Sequence, residues 1–210
     1  MVLDSSCQLF APLKRLGVSF CLFLMFHVYT GGSAMGAEGK EKLIFGFDKP
    51  REAEQWRTID DPVMGGLSRS TFQITTQGAA LFSGMVSLEN FGGFASVSSI
   101  PADYNLGGFE GIAIRVRGDG KRYKLTIKTD ASFTGFTYQS PFNTVSGEWT
   151  VIYAAFKNFV ASFRGSIKKD AEPIDAKKIK SFGFLIADKQ EGPFRLEIDW
   201  IKAVQNGSYK

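Results

Sequence analysis

Residues 111–128 read Gly-Ile-Ala-Ile-Arg-Val-Arg-Gly-Asp-Gly-Lys-Arg-Tyr-Lys-Leu-Thr-Ile-Lys, and their alternation decides the fold class. Ile112, Ile114 and Val116 share one face of an extended segment, with Ala113, Arg115 and Arg117 on the other. Beyond Gly118-Asp119-Gly120, Tyr123, Leu125 and Ile127 alternate in the same way with Arg122, Lys124, Thr126 and Lys128. A period of two belongs to a half-buried strand, whose successive side chains point to opposite faces. Glycine tolerates positive φ and Asp bonds its own backbone, so the intervening triplet predicts a turn and the two strands a β-hairpin.

Outward from this pair, strands are expected at 43–47, 70–76, 79–88, 94–98, 135–139, 149–156, 181–187 and 193–204. The last sets Phe194, Leu196 and Ile198 against Arg195, Glu197 and Asp199 before ending in Trp200-Ile201. Short helical turns are expected at 50–56 and 173–180. Strands do not alternate with helices, and no G-x-G-x-x-G opens a helix, so a doubly wound fold is excluded. Many strands with glycine-rich connections call for two packed antiparallel sheets: an all-β sandwich forming one domain over residues 38–210.

The first 37 residues read differently. Lys14 and Arg15 precede the apolar run 16–30, and small residues follow as Gly31-Gly32-Ser33-Ala34-Met35-Gly36-Ala37. This is the order of a secretory signal peptide, with cleavage expected after Ala34, Gly36 or Ala37, and it points to an exported protein. The alternatives are an uncleaved membrane anchor and an organelle (mitochondrial) transit peptide. The run is short for a membrane span of about 20 residues, so no integral span is expected once the leader is removed.

Both cysteines, Cys7 and Cys21, and the single histidine, His27, lie within this leader. Residues 38–210 therefore hold no thiol nucleophile, no Cys- or His-ligated zinc and no Ser-His-Asp triad. No cofactor is expected. The 25 Lys and Arg against 21 Asp and Glu give a net charge of +4, spread too thinly for a nucleic-acid track.

Three glycine-bearing segments stand out. In Asp60-Asp61-Pro62-Val63-Met64-Gly65-Gly66-Leu67-Ser68, the adjacent carboxylates suit either a turn or a calcium site, and the turn reading is preferred. In Leu88-Glu89-Asn90-Phe91-Gly92-Gly93-Phe94, the rings form a recognition patch if they face solvent; in a chain with 20 Phe the core reading is preferred. Glu89 and Asn90 would then supply polar contacts at the rim. The third, Arg117-Gly118-Asp119-Gly120-Lys121-Arg122-Tyr123, reads as a solvated turn or a contact for an acidic partner.

These segments, in this order, resemble the complex I intermediate-associated protein 30 family. The matching residues are Trp56 with 60–68, Phe82-Ser83-Gly84, 88–96, Gly111 and 115–123. Tyr138, Phe142, Trp149, Phe163-Arg164-Gly165, Gly192-Pro193-Phe194 and Ile201 continue the series. The resemblance implies a jelly-roll, galactose-binding-like β-sandwich. It also implies a non-catalytic scaffold or chaperone that binds an assembly intermediate of a respiratory membrane complex. Asp60, Asp61, Met64, Gly65, Gly66, Asn90, Gly92 and Gly93 carry the family motifs; with Glu89, Arg117 and Asp119 they form the expected partner- or ligand-binding set.

Two other functions compete. A carbohydrate-binding module needs exposed rings, and Trp56, Tyr104, Tyr138, Trp149 and Trp200 are its candidates for a glycan. A glycosidase needs two carboxyl groups facing one cavity about 5–9.5 Å apart. Asp60 and Asp61, with Glu89, Asp119 or Glu148 as partners, are the candidates for that.

Overall fold

The computed structural model describes residues 39–131, 136–163 and 165–205. The leader reading of 1–37, the start of the strand expected at 135 and the family residue Arg164 lie outside them.

Among the described residues, thirteen strands form two sheets. The first joins β1 (Glu41–Phe45), β3 (Arg69–Ile74), β4 (Ala80–Val86), β6 (Gly111–Arg117), β9 (Trp149–Ala155) and β13 (Gly192–Val204). Its order is β3-β4-β13-β6-β9. The long strand β13 organises it: on one edge Gly192–Ile198 pair with β4 and Ile201–Val204 with β1, while the other edge pairs with β6. The register on β6 shifts between Ile198 and Trp200, the mark of a bulge that turns Asp199 and Trp200 toward the outer face.

The second sheet joins β2 (Trp56–Thr58), β5 (Ala95–Ser99), β7 (Arg122–Lys128), β8 (Thr137–Asn143), β10 (Val160–Phe163), β11 (Ser166–Ile167) and β12 (Ser181–Ile186). Its order is β11-β10-β8-β7-β12-β5-β2. All strand pairings between named strands are antiparallel, as the sandwich reading requires. The helical turns are 3-10 turns, among them Pro50–Gln55 and Ala176–Lys178. Among the described residues no helix is long and apolar enough to cross a membrane.

The core is the space between the sheets. Ile112, Ile114 and Val116 face it from one side, Tyr123, Leu125 and Ile127 from the other, all buried. One end is aromatic: Trp56 stacks on Phe72 at 4.8 Å and packs against Phe45, Phe47 and Phe184. Apolar area removed from water stabilises at roughly 25 cal/mol per Å², so rings of this size dominate that end.

The expected hairpin at 111–128 is not formed. β6 lies in the first sheet and β7 in the second, so residues 118–121 cross the core edge as an arch. Alternation says which residues face the core but not from which side, and both arrangements bury the same six side chains. The crossing is fixed by Asp119, which accepts from the amides of Lys121 (3.1 Å) and Arg195 (2.9 Å) and from the Tyr123 hydroxyl (2.9 Å). Gly118 lies against Thr144 so closely that a Cβ there would come within 2.3 Å of its hydroxyl.

Candidate functional site

The β3–β4 hairpin positions the site. Arg69 pairs with Met85 at one end and Ile74 with Ala80 at the other, so residues 60–68 and 87–94 both emerge from the same end. The first of these loops holds a 3-10 turn, Asp61–Met64, which Pro62 enters with its fixed φ and Gly65 leaves at φ +92°. The second holds the turn Glu89–Phe91.

Asp61 joins the loops. It is 1% exposed and accepts four hydrogen bonds. Oδ1 takes the Ser68 amide at 2.7 Å, while Oδ2 takes the Ser68 hydroxyl at 2.5 Å and the amides of Gly93 and Phe94 at 2.7 and 3.2 Å. Ser68 Oγ in turn accepts from the Ser87 amide at 3.0 Å. Asp60 does the same work one residue earlier, taking the Ser70 amide and hydroxyl at 2.7 Å each and the Ser96 amide at 3.2 Å.

The two carboxyls respond in opposite directions. Burial pushes Asp61 up, but the bonds from Ser68, Gly93 and Phe94 outweigh it, and the group lies below the ordinary carboxylate range. At Asp60 burial prevails over the bonds from Ser70 and Ser96, with repulsion from Asp61 added, and the group lies above that range. Buried and held by four donors, three of them on Oδ2, Asp61 is turned toward the protein and away from a cation or substrate.

Two glycines are required for steric reasons. A Cβ on Gly66 would lie 2.4 Å from the Asp61 carboxyl carbon, and one on Gly92 would lie 2.7 Å from Asp61 Oδ2 and 2.8 Å from the Ser87 carbonyl. Gly93 supplies its amide at φ +129°, beside Leu88.

What these bonds hold up is apolar and exposed. Phe91 is 102% exposed, Met64 69%, Leu67 45% and Leu88 37%. Asn90 and Phe91 sit at φ +53° and +61°, a region that is costly for a ring-bearing residue. The preferred core reading of the 88–94 rings is therefore corrected: Phe91 stands in solvent and Phe94 is half-buried. Its flanks, Asn90 and Gly92-Gly93, are turn residues, and that was the available signal. Leu67 and Leu88 were absent from the expected set because isolated Leu residues carry no loop signature.

The structure thus brings Asp60, Asp61, Met64, Gly65, Gly66, Glu89, Asn90, Gly92 and Gly93 onto one loop pair, and places Arg117 and Asp119 in other surroundings. Asp119 belongs to the arch. Arg117 lies on the outer face of the first sheet, 2.6 Å from Glu197, which Arg195 also meets at 2.9 Å. Burial raises the Glu197 pKa, but the two guanidiniums outweigh this and hold it below the usual range. Arg115 and Arg117 each lie 4.8 Å from the Trp149 ring.

Of the glycan candidates, Trp56 and Tyr138 are buried. Tyr104 packs on Phe45 and Phe182, while Trp149 and Trp200 are half-buried on that outer face, with Lys202 4.7 Å from the Trp200 ring. Among the described residues no group of three His, Cys, Asp or Glu could hold a metal ion.

Comparisons with known proteins bear on both fold and family. A family 11 carbohydrate-binding module of a cellulosomal cellulase of Clostridium thermocellum superposes with a TM-score of 0.60 at 16% identity, covering 79% of this chain and 95% of the module. An agarase does so at 0.53 and 12%, over 78% of this chain and 24% of the agarase. At these identities the likeness speaks for the fold, a galactose-binding-like jelly-roll sandwich. In sequence, the mitochondrial complex I intermediate-associated protein 30 of Mus musculus is 27% identical over 186 residues, covering 76% of this chain. Its Drosophila melanogaster counterpart is 25% identical over 194 residues and 82% of this chain. The chain spans 55% of the mouse protein's length and 66% of the fly protein's. The family profile itself, described as complex I intermediate-associated protein 30, matches residues 45–198. With the motif loops and the sandwich both in place, the chain belongs to the complex I intermediate-associated protein 30 family.

Proposed function

We propose that this protein is a non-catalytic binding module that assists assembly of a respiratory membrane complex, docking through the 60–68 and 87–94 loops. The observation that carries this is Phe91: a ring wholly in solvent, on a strained backbone, supported by two loops tied through one buried carboxylate. Interfaces draw most of their energy from a few such anchors ringed by polar groups. Phe91 and Met64 are the anchors here, Leu67 and Leu88 widen the patch, and Glu89 and Asn90 form its rim. The occupant is an apolar surface of a complex subunit, covered until the next component replaces the module.

The relatives' names support complex I as the complex, and their mitochondrial designation favours the organelle alternative for the leader over export. The full-length protein, tagged and purified from its own respiratory membranes after gentle solubilisation, should recover complex I subunits in stoichiometric amount. Recovery of the protein alone, with a positive glycan array, would transfer the reading to Trp149 and Trp200 and a carbohydrate ligand.

A further inference from the structure

We infer that the outer face of the second sheet is a trough for an extended acidic segment of a protein partner, held between Arg57 on one side and Arg122, Lys124 and Lys128 on the other. The described strands of this sheet carry these four basic residues and no Asp or Glu. The first sheet differs: Glu41, Glu197 and Asp199 lie on its strands and meet Lys202, Arg117, Arg195 and Arg115. Register places the cations. Arg57 pairs with Ser98, Ser98 with Gly183 and Gly183 with Thr126, so Arg57 stands three strands from β7, about 14 Å away. On β7, Arg122, Lys124 and Lys128 alternate with the buried Tyr123, Leu125 and Ile127 and so share the outer face. The floor between these walls is low. Its outward positions are Ser96 and Ser98 on β5 with Gly183 and Leu185 on β12. Gly183 has no room for a side chain, since a Cβ would come within 2.4 Å of the Val97 carbonyl and 2.6 Å of the Thr126 hydroxyl.

Charge and shape choose the occupant. Among the described residues the Arg57 and Arg122 guanidiniums meet no carboxylate. Arg57 is held instead by the carbonyls of Glu54 and Trp56, at 2.7 and 2.9 Å. Lys124 meets Asp188 at 2.7 Å; both are partly exposed, and a pair of that kind is weak enough for a partner's carboxylate to replace it. An extended chain lying along β5 and β12 advances about 6.8 Å every second residue. Arg122 and Lys124 are separated by the same step, so alternate acidic side chains reach successive cations. Nucleic acid would need rings to stack on, and Trp56, Tyr123, Tyr138, Phe142, Phe182 and Phe184 are all buried. An apolar surface would bury Arg57 and Arg122 with no acid to meet them. The proposal rests on the second sheet alone and is independent of the reading of the 60–68 and 87–94 loops.

A fluorescein-labelled peptide of alternating Glu and Ser, titrated with the full-length protein, should show saturable anisotropy that weakens as salt rises. A Gln-Ser peptide should show none. Arg57→Glu should weaken binding about tenfold or more, while Arg69→Glu, an equal change of net charge on the first sheet, should leave it within about twofold. Absence of saturable binding overturns the proposal, as does an Arg57→Glu protein that binds like wild type or an equal loss in Arg69→Glu. Tighter binding of phosphatidylserine vesicles or of a thymidine oligonucleotide than of the peptide also overturns it, because the face would then read phosphate. If Arg57→Glu melts early, carbodiimide coupling of the peptide to the wild-type protein decides. Adducts at Lys124 or Lys128 support the trough, and adducts spread evenly over the surface lysines overturn it.

Discussion

Asp61 Oδ2 accepts the Gly93 amide at 2.7 Å across 32 residues of chain, and this bond makes two loops into one platform. Together with the Phe94 amide it forms a small backbone nest for a carboxylate that the chain itself provides. The adjacent acidic residues therefore build the surface that displays Phe91 and Met64, and they are structural at this site.

Asp61→Ala should lower stability by about 2–4 kcal/mol, since it leaves the amides of Ser68, Gly93 and Phe94 buried without their acceptor. Denaturant titration of the two proteins measures this. A loss below about 0.5 kcal/mol would mean that the loops are held by something else.

Acidification should reveal the same group. A carboxyl whose folded pKa is depressed stabilises the fold above its unfolded pKa, and this contribution is lost as pH falls through the folded value. Asp60, raised in the fold, acts oppositely: its ionisation as pH rises weakens the folded state. Asp61→Asn should therefore flatten the acid side of the stability–pH curve, while Asp60→Asn should leave a steeper loss. Equal slopes in the two variants would sink this assignment.

Gly92→Ala should destabilise by about 2 kcal/mol or more, because its Cβ would press on Asp61 Oδ2 and the Ser87 carbonyl. Gly147→Ala, at φ +77° in open space, should cost only about 1 kcal/mol. The reverse order by thermal or chemical melting would contradict the close approach at Gly92.

Phe91→Gly should leave stability unchanged or raise it by up to about 1 kcal/mol, since an exposed ring is lost and a left-handed backbone relaxed. The same substitution should abolish partner capture. A residue kept at a cost to folding is explained by binding, and a stable variant that still binds would remove that explanation.

Much of this was legible in the sequence, for reasons that also explain what was not. The period-two runs at 111–117, 122–128 and 193–204 gave the strands and their buried faces, because one face meets a core. The β6–β7 arch was not legible, since two strands facing the same core alternate alike whether they pair or oppose each other. β2, β10 and β11 escaped because strands of two to four residues hold too few alternations to register. The loops at 60–68 and 87–94 were marked by their glycines, yet their joining through Asp61 depends on contacts far apart in sequence. Arg117 and Asp119 read as one segment, a solvated turn or a contact for an acidic partner; the structure uses the first to neutralise Glu197 and the second to anchor the arch.

The most direct test of the docking account places a photo-crosslinking residue at position 91 in the full-length protein, expressed in its own cells. The same residue at Gln77, exposed at the far end of the β3–β4 hairpin, is the control. The account predicts light-dependent adducts from position 91 to a respiratory complex subunit, and few or none from position 77. Equal labelling from both positions, or no adduct from position 91 in a protein that still co-purifies with the complex, would contradict it.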